Sequence, residues 1–419
     1  MRAASVSRNS PRARRLPVSP VSSSVPEWLR ARLEAWGGTV PFSTYMEWVL
    51  HDPEHGAYGS GRLRIGPRGD FATSPSLGPD FAALLAPQLA QWLEQLASSS
   101  DPQARLSLVE AGPGEGSLAL QLARELAARW PALAARSDLV LVEPNPGMAA
   151  RQRRLLAPAP LPVRWSSFAA LAQAPLRGVV LAHEVLDALA VERITSDGHQ
   201  WRRQLVRLQG SATGPMLALE PGDPLGTEQL ALLEPLQLVA PGPQRPAGWT
   251  SELHTGLAPW LREAAGALLQ GWLLVIDYAL EAWRYYAPSR ADGTLMAYRQ
   301  QRASGNPLQQ PGHCDLTAHL CIEQLQAAAH ASGWSPIGGC RQGEALLALG
   351  LAQRLHGLQQ GATPERLPEL LARREALLRL VDPHTLGDFR WLAFARGGSG
   401  ATGVAATADP IPAFLSPPP

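Results

Sequence analysis

The sequence contains no lysine, so its 37 lysine-plus-arginine residues are all arginine. This absence excludes a lysine Schiff base and a lysine general base from the chemistry of the chain. An excess of charge of either sign is also missing, because the net charge is only +1. No long basic stripe with interleaved aromatic residues is present, which argues against non-specific binding of nucleic acid.

Cysteine and long apolar runs are scarce as well. The three cysteines, Cys314, Cys321 and Cys340, form an odd set without CxxC spacing. They match neither a zinc site nor a disulfide framework, and they indicate a reducing compartment. No apolar run approaches the roughly 18 residues of a membrane span. We therefore expect a soluble protein of the bacterial cytoplasm, without a membrane span.

The two ends of the chain differ in composition from the rest. Residues 1–25 contain five arginines, many serines and prolines, and no acidic residue. This composition is similar to that of a transit peptide, which would place the protein in an organelle, but the prolines argue against a continuous amphipathic helix. We expect a disordered segment instead, and the tail 397–419, which is equally poor in core-forming residues, should also be disordered. This leaves residues 26–396 as the folded unit.

Short apolar runs alternate with amphipathic stretches in the middle of the chain. Strands are predicted over 106–111, 139–142, 178–182 and 272–277, and a helix over 117–129. Such alternation predicts a doubly wound, mainly parallel sheet of the α/β class. Its core should comprise about 100–192 and 256–280. The Gly- and Pro-rich stretch 192–255 is interpreted as an insertion of strands and loops, and 281–385 as an additional helical and β lobe.

The sharpest local signal is a glycine loop between the first strand and its helix. Gly112, Gly114 and Gly116 form the pattern GxGxG, whereas a dinucleotide fold needs GxGxxG, with its third glycine where this chain has Ser117. A strand that enters a tight glycine turn and opens a helix lets backbone amides approach a ligand closely. The spacing is typical of methyltransferases, whose methyl donor has no pyrophosphate. A purely structural turn is the alternative.

Acidic residues follow the predicted strands, at the edge where a doubly wound sheet binds its ligand. Glu143 ends the second strand, where a carboxylate can accept hydrogen bonds from both ribose hydroxyls of a nucleoside. Glu110 ends the first strand, where it can order the loop amides or lie near the amino group of the donor. The alternatives are a solvated loop acid for Glu143 and a structural role for Glu110.

Two further acids, Glu184 and Asp187, come just after the third strand. Residues three apart can share one face of a turn, so the pair can hold a cationic acceptor. Acids that merely favour a helix N-terminus are the alternative. The adjacent His183 is given no role, because a lone histidine is more often structural.

A second cluster of chemically reactive side chains follows later in the chain. His313, Cys314, Asp315 and His319 combine hard, soft and borderline ligands and lack a matching set elsewhere. The sequence therefore predicts no metal site.

Together these motifs resemble the MidA-like family, which comprises the mitochondrial complex I assembly-factor protein-arginine methyltransferases and their bacterial relatives. The resemblance runs from about residue 41 to residue 394. It is carried by GDFATSP at 69–75, VEAGPGEG at 109–116, HEVLDAL at 183–189, IDY at 276–278 and PGHCDLTAH at 311–319. The resemblance implies a Rossmann-like class I methyltransferase core with an added lobe.

The same resemblance implies that the cofactor is S-adenosyl-L-methionine. With the segment 69–75 closing over the pocket, the expected donor-binding residues are Asp70, Thr73, Ser74, Glu110, Gly112, Gly114, Gly116 and Glu143. Eukaryotic members of the family dimethylate an arginine on a core subunit of complex I. By analogy we expect a protein substrate, with a complex I or NDH-1-type subunit as the candidate.

An arginine acceptor makes specific demands on the site. A guanidinium, whose pKa is far above neutral, stays protonated and has no free lone pair. Paired carboxylates can orient it and localise its charge away from the attacking nitrogen. Glu184 and Asp187 are the expected catalytic residues.

The sequence departs from the family pattern at three positions, and other functions stay open. Ser76 stands where the family has Glu, Ala190 where it has Pro, and Glu115 where Arg or His is common. The alternatives are a methyltransferase for a small molecule and a non-catalytic assembly factor that retains the donor fold. An NAD-dependent oxidoreductase is disfavoured by Ser117.

Overall fold

The computed structural model describes residues 25–66, 69–99, 101, 103–211, 214–360, 363–397 and 411–419. Apart from Val25, the predicted disordered segment 1–25 lies outside the described residues, and so do 398–410 of the predicted tail.

The helices and strands alternate along the chain. The α-helices are α1 (Glu27–Ala35), α2 (Phe42–His51), α3 (Asp80–Ser99), α4 (Ser117–Arg129), α5 (Pro131–Ala135), α6 (Pro146–Leu156), α7 (Phe168–Leu171), α8 (Thr227–Leu233), α9 (Leu257–Gly266), α10 (Ala282–Tyr285), α11 (Ile322–Ala331), α12 (Gln342–Ala348), α13 (Leu351–Gln360) and α14 (Leu367–Val381). The strands are β1 (Thr39–Pro41), β2 (Leu106–Ala111), β3 (Ser137–Val142), β4 (Val163–Ser166), β5 (Leu176–His183), β6 (Glu192–Ser196), β7 (Trp201–Ser211), β8 (Gly214–Pro224), β9 (Thr250–Leu253), β10 (Leu268–Asp277), β11 (Ala279–Leu280), β12 (Met296–Arg299), β13 (Arg302–Ser304), β14 (Asp315–Thr317), β15 (Leu320–Cys321), β16 (Ser335–Arg341) and β17 (Arg390–Arg396).

A seven-stranded sheet forms the centre of the described chain, in the order β16-β17-β10-β5-β2-β3-β4. The strands from β10 to β4 are parallel to one another, and β17 runs antiparallel between β10 and β16. The predicted α/β fold with a mainly parallel sheet is confirmed. Chain order changes direction at β2, and ligands of doubly wound sheets bind beyond the carboxyl ends of the strands at such a switch point.

Helices cover both faces of this sheet. All six residues of β2 are buried, as expected for a parallel strand with packed layers on either side. Successive residues point to opposite faces, so Leu108 packs in the cluster that includes α3 and α4, while Val109 packs in the cluster that includes α9 and α11. This two-sided core fixes the strand ends that carry the candidate site.

A second sheet, β1-β7-β6-β9 with β8 paired to β7, forms a lobe beside the first. Its hydrophobic cluster brings together Leu29 and Phe42 of the N-terminal helices, Val206 of β7, and Leu316 of β14. The segment 192–255, which the sequence analysis interprets as an insertion of strands and loops, packs in the structure with the N-terminal helices and with β14. The apolar faces of α1 and α2 require a partner, and local periodicity does not identify which distant segment provides it.

The helices α12, α13 and α14, which lie between β16 and β17 in the chain, pack against one another. Arg373 of α14 makes two hydrogen bonds to the carboxylate of Asp80, from Nε to Oδ2 at 3.0 Å and from Nη2 to Oδ1 at 2.7 Å. Arg354 of α13 binds the same carboxylate. These contacts attach α13 and α14 to the first turn of α3.

The C-terminal residues 411–419 dock on the fold, contrary to the predicted disordered tail 397–419. Phe414 is 1% exposed, and its ring centroid lies 6.3 Å from that of Trp92 and 5.7 Å from that of Trp391. The prediction was wrong for this segment because composition averages over the whole tail and hides a single aromatic anchor. Among the described residues, no helix is long and apolar enough to cross a membrane.

Candidate active site

A cavity of about 690 Å³ lies at the carboxyl ends of β2, β3 and β5. Its volume is within the range of pockets that bind small molecules and cofactors. The predicted site residues that line it are Thr73, Glu110, Gly112, Gly114, Glu143 and Glu184. The cavity therefore brings together residues from separate strand ends and Thr73 from the segment 69–75.

The glycine loop forms one wall of the cavity. Gly112 and Gly114 have left-handed φ angles of 57° and 54°, which favour glycine. A Cβ atom on Gly112 would lie 2.9 Å from Cγ2 of Val185, and one on Gly114 would lie 2.7 Å from Cδ1 of Ile65. The backbone conformation therefore favours glycine at both positions, and at Gly112 the side chain of Val185 also leaves no room for a Cβ atom.

Gly116 does not line the cavity, although the sequence placed it among the donor-binding residues. It is the N-cap of α4, and a Cβ atom there would lie 3.4 Å from Cγ of Gln152. The absence of a side chain at Gly116 allows α4 to approach α6 closely, so the third glycine of the motif has a packing role.

Glu143 is held in a fixed orientation just after β3. Its Oε1 accepts a hydrogen bond from the backbone N–H of Asn145 at 2.8 Å, and its Oε2 accepts one from Nε2 of Gln152 at 2.9 Å. Gln152 also donates from Nε2 to the carbonyl oxygen of Gly114 at 2.8 Å. Each carboxylate oxygen keeps a lone pair for a ligand, and burial raises the pKa of Glu143. Sequence reasoning missed Gln152, which gives no signal inside an amphipathic helix.

The carboxyl group of Glu110 is buried in the cavity wall without a cationic partner among the described residues. It is buried, and its Oε2 has no hydrogen-bond partner among the described residues. Burial raises the pKa of this carboxyl to about 8. Because an unpaired buried carboxyl is costly, its position in the cavity wall fits a ligand with a positively charged group.

The turn that carries Glu184 and Asp187 is fixed by Asp277, the last residue of β10. Oδ2 of Asp277 accepts hydrogen bonds from the backbone N–H groups of Val185, Leu186 and Asp187, at 3.2, 3.0 and 3.3 Å. Glu184 has a φ of 53°, which is unusual for a residue other than glycine and is found at functional sites that the surroundings hold in place.

Asp315 of β14 joins this turn from a distant part of the chain. The hydroxyl of Tyr58, which lines the cavity, donates a hydrogen bond of 2.9 Å to Oδ1 of Asp315. Sequence reasoning gave Asp277 and Asp315 no role, although both lie in motifs that carry the family resemblance. Tyr58 had no recognisable signal, because its proximity depends on long-range packing.

The four carboxyls of this region, Glu184, Asp187, Asp277 and Asp315, form an acidic cluster. Burial and neighbouring carboxyls raise the pKa values of Glu184 and Asp187 well above their usual range. Burial raises those of Asp277 and Asp315 to about 7. Within the described ranges, no arginine forms a salt bridge with any of the four. A cation that entered the cluster would therefore meet carboxyls whose charge no arginine neutralises.

Three other predicted residues lie behind the cavity wall. Asp70 accepts hydrogen bonds from the backbone N–H groups of Arg64 at 3.0 Å and Gln300 at 3.2 Å, so it joins two loops. The backbone N–H of Ser74 lies 3.4 Å from Oε1 of Glu184, which supports that carboxyl from outside the lining. Asp187 is likewise buried beside the cavity without lining it.

Two departures from the family pattern have visible partners. Ser76 closes a 3₁₀ turn, since its Oγ accepts a hydrogen bond from the backbone N–H of Thr73 at 3.0 Å and donates one to the carbonyl of Thr73 at 2.7 Å. Glu115 pairs with Nε of Arg151 at 3.1 Å. In the described part of the chain, no group of His, Cys, Asp and Glu side chains has the arrangement of a metal site.

Comparison with known proteins extends over nearly the whole fold. Residues 84–340 match the family described as S-adenosyl-L-methionine-dependent methyltransferase. The chain is 28% identical to the "Protein arginine methyltransferase NDUFAF7 homolog, mitochondrial" of Drosophila melanogaster, over 89% of this chain and 85% of that protein. It is 27% identical to the zebrafish (Danio rerio) protein arginine methyltransferase NDUFAF7, over 47% of this chain and 50% of that one.

A solved structure supports the same assignment. The chain is 31% identical to a superfamily member from Burkholderia thailandensis that is described as a methyl transferase and bound to S-adenosyl-homocysteine. The alignment covers 94% of each chain with a TM-score of 0.77. The chain therefore belongs to the MidA-like family of S-adenosyl-L-methionine-dependent methyltransferases, and S-adenosyl-L-methionine is its cofactor.

Proposed function

We propose that this methyltransferase modifies an arginine side chain of a protein substrate. The observation that carries the proposal is the acidic cluster, which has no arginine partner among the described residues. Its Glu184 lines the cavity, and its Asp187, Asp277 and Asp315 are buried. The relatives from Drosophila melanogaster and zebrafish are named protein arginine methyltransferases, which supports the same substrate class.

The chemistry of the cluster suits a guanidinium better than other cations. Guanidinium is planar, always charged, and presents its N–H donors in a fork that matches carboxylate oxygens. Buried carboxyls that lack a cationic partner are costly to ionise. In the free site the ionised carboxylates would only repel one another, whereas a bound guanidinium attracts them. Asp277 is already engaged with three backbone N–H groups, and Asp315 accepts a hydrogen bond from the hydroxyl of Tyr58. Glu184 and Asp187 remain as the pair that binds the acceptor.

The residues of the cavity divide the remaining work among them. The bound cofactor supplies an electrophilic methyl group on a sulfonium. We propose that Gly112 and Gly114 admit the donor against the backbone, that Glu143 accepts hydrogen bonds from the ribose hydroxyls, and that Glu110 pairs with the positively charged amino end. Thr73 covers the cavity and excludes water, so that catalysis comes mainly from alignment in a dry site.

The identity of the substrate protein is proposed by analogy. Since eukaryotic members of the family act on a core subunit of complex I, a complex I or NDH-1-type subunit is the candidate, and the bacterial cytoplasm is the proposed compartment.

A transfer assay with labelled cofactor tests the proposal. Extract from a strain without this gene is incubated with the purified chain, and the labelled product is hydrolysed and analysed by mass spectrometry. We expect label in methylarginine of a protein. The control is Gly114→Val, in which a valine replaces a glycine of the loop and should prevent cofactor binding, so this variant should transfer no label.

The other outcomes each support a different function. Label in a small molecule would favour a small-molecule methyltransferase. Binding of the cofactor without transfer to any fraction would favour a non-catalytic assembly factor, and either result would overturn the arginine proposal.

A further inference from the structure

His183, the last residue of β5, lines the cavity directly beside Glu184. It is only 8% exposed, and one side of its ring packs against Phe81, with 5.2 Å between the ring centroids. Its side chain therefore has a fixed position between the core and the site of the reaction.

One nitrogen of this imidazole is available to a ligand. Nε2 has no hydrogen-bond partner among the described residues. Burial lowers the pKa of His183 to about 3, so the ring is neutral at neutral pH. A neutral imidazole has one proton, and with that proton on Nδ1 the lone pair is on Nε2.

The position of Nε2 relative to the acceptor carboxylates is the second observation. Nε2 lies 3.5 Å from Oε1 of Glu184, which the proposed function assigns to the guanidinium. A group held by Glu184 therefore lies within reach of an unprotonated nitrogen. No lysine exists in the chain to serve as an alternative base.

We propose that Nε2 of His183 accepts the proton that the acceptor nitrogen loses during methyl transfer, an inference that rests on the proposed arginine function. The nitrogen lone pair forms the bond to the methyl carbon while the carbon–sulfur bond breaks, and its electron pair stays on sulfur. One N–H proton of the methylated nitrogen passes to Nε2. The negative charge of Glu184 stabilises the imidazolium until the proton leaves to solvent with the product.

Another buried histidine offers a matched comparison. Burial lowers the pKa of His254 to about 4, but its Nε2 lies 2.6 Å from the carbonyl oxygen of His319. Nδ1 of His254 has no hydrogen-bond partner among the described residues, but His254 does not line the cavity. It therefore shares the burial of His183 without a nitrogen that faces the site.

Single-turnover methyl transfer in His183→Gln and His183→Ala tests the proposal. We expect both variants to bind the cofactor as the unaltered chain does, and to lose ~10²-fold or more in the transfer rate. Added imidazoles of similar size should restore His183→Ala, and the restored rate should increase with their basicity. His254→Gln should retain its transfer rate.

Two results would overturn the proposal. Full transfer by His183→Gln would show that Nε2 is dispensable, and equal rescue by weakly and strongly basic imidazoles would show that the ring only fills space. If His183→Ala does not fold, His183→Gln still decides. Formation of methylarginine by the unaltered chain tests the proposed function separately, because the rescue series compares only variants with one another.

Discussion

At the scale of single residues, the glycine loop makes the most direct prediction about the cofactor. Gly114→Val introduces a branched side chain at a φ of 54° and within 2.7 Å of Ile65. We expect calorimetry to detect no binding of S-adenosyl-L-methionine, while circular dichroism shows a folded chain. The matched control is Gly198→Val, where φ is 96° but the nearest atoms are 3.9 Å away. Unchanged affinity in Gly114→Val would contradict the donor site.

The acceptor carboxylates are tested by substitutions that keep shape and remove charge. Glu184→Gln and Asp187→Asn should each reduce methyl transfer by ~10²-fold or more if the carboxylates act in the transition state. Cofactor affinity should survive, because the proposed donor contacts lie at other residues. The double variant should lose less than the product of the single losses if the two side chains act as a unit. Near-normal turnover in both single variants would mean that the pair is structural.

Protonation of the same cluster predicts how acceptor affinity depends on pH. Burial raises the pKa of Asp315 to about 7, and burial with neighbouring acids raises that of Asp187 well above its usual range. A guanidinium pairs with the charged form, so its binding must release protons. Affinity for an arginine peptide should therefore increase with pH, by up to about tenfold per unit for each proton released.

Calorimetry in buffers with different ionisation enthalpies measures that proton release directly. Asp315→Asn should release fewer protons and show a shallower pH dependence. An affinity that is equal at about pH 6 and about pH 8 would contradict the linkage.

At the scale of elements, the docked C-terminal segment predicts a local contribution to stability. Phe414→Ala removes a ring that is 1% exposed, whereas Ile411→Ala changes a side chain that is 68% exposed. We expect the free energy of unfolding to fall by about 3 kcal/mol in Phe414→Ala and to stay unchanged in Ile411→Ala. Denaturant titration distinguishes the two, and equal stability of both variants would show that the docked segment contributes nothing.

Sequence periodicity identified the elements whose pattern is local. The predicted strand 106–111 and helix 117–129 coincide with β2 and α4, since apolar runs and a helical stripe report burial directly. β16 lies in the region 281–385, which was interpreted as a helical and β lobe, but the strand itself was not predicted. Its sequence, SPIGGCR, contains proline and two glycines, which weaken any strand signal, and the strand exists because β17 pairs with it.

At the scale of the whole molecule, the pattern of strands could predict only the part of the candidate site that residues 110–184 supply, and Thr73 came from the family resemblance. Gly112, Gly114, Glu143 and Glu184 follow strands of the same sheet, so a topological rule brings them together. Tyr58 and Asp315 reach the same place through the packing of the N-terminal helices on the second sheet. Sequence periodicity does not predict that Tyr58 and Asp315 lie together, because their proximity depends on contacts between distant segments.

The three hydrogen bonds from backbone N–H groups to Asp277 have a consequence for protein engineering. Residues 183–189 are one short continuous segment, yet the conformation of their turn depends on a side chain that comes from β10. Transplanting this heptapeptide into another methyltransferase would carry over the acids without the conformation that aims them. A successful transfer of acceptor specificity must move the end of β10 together with it.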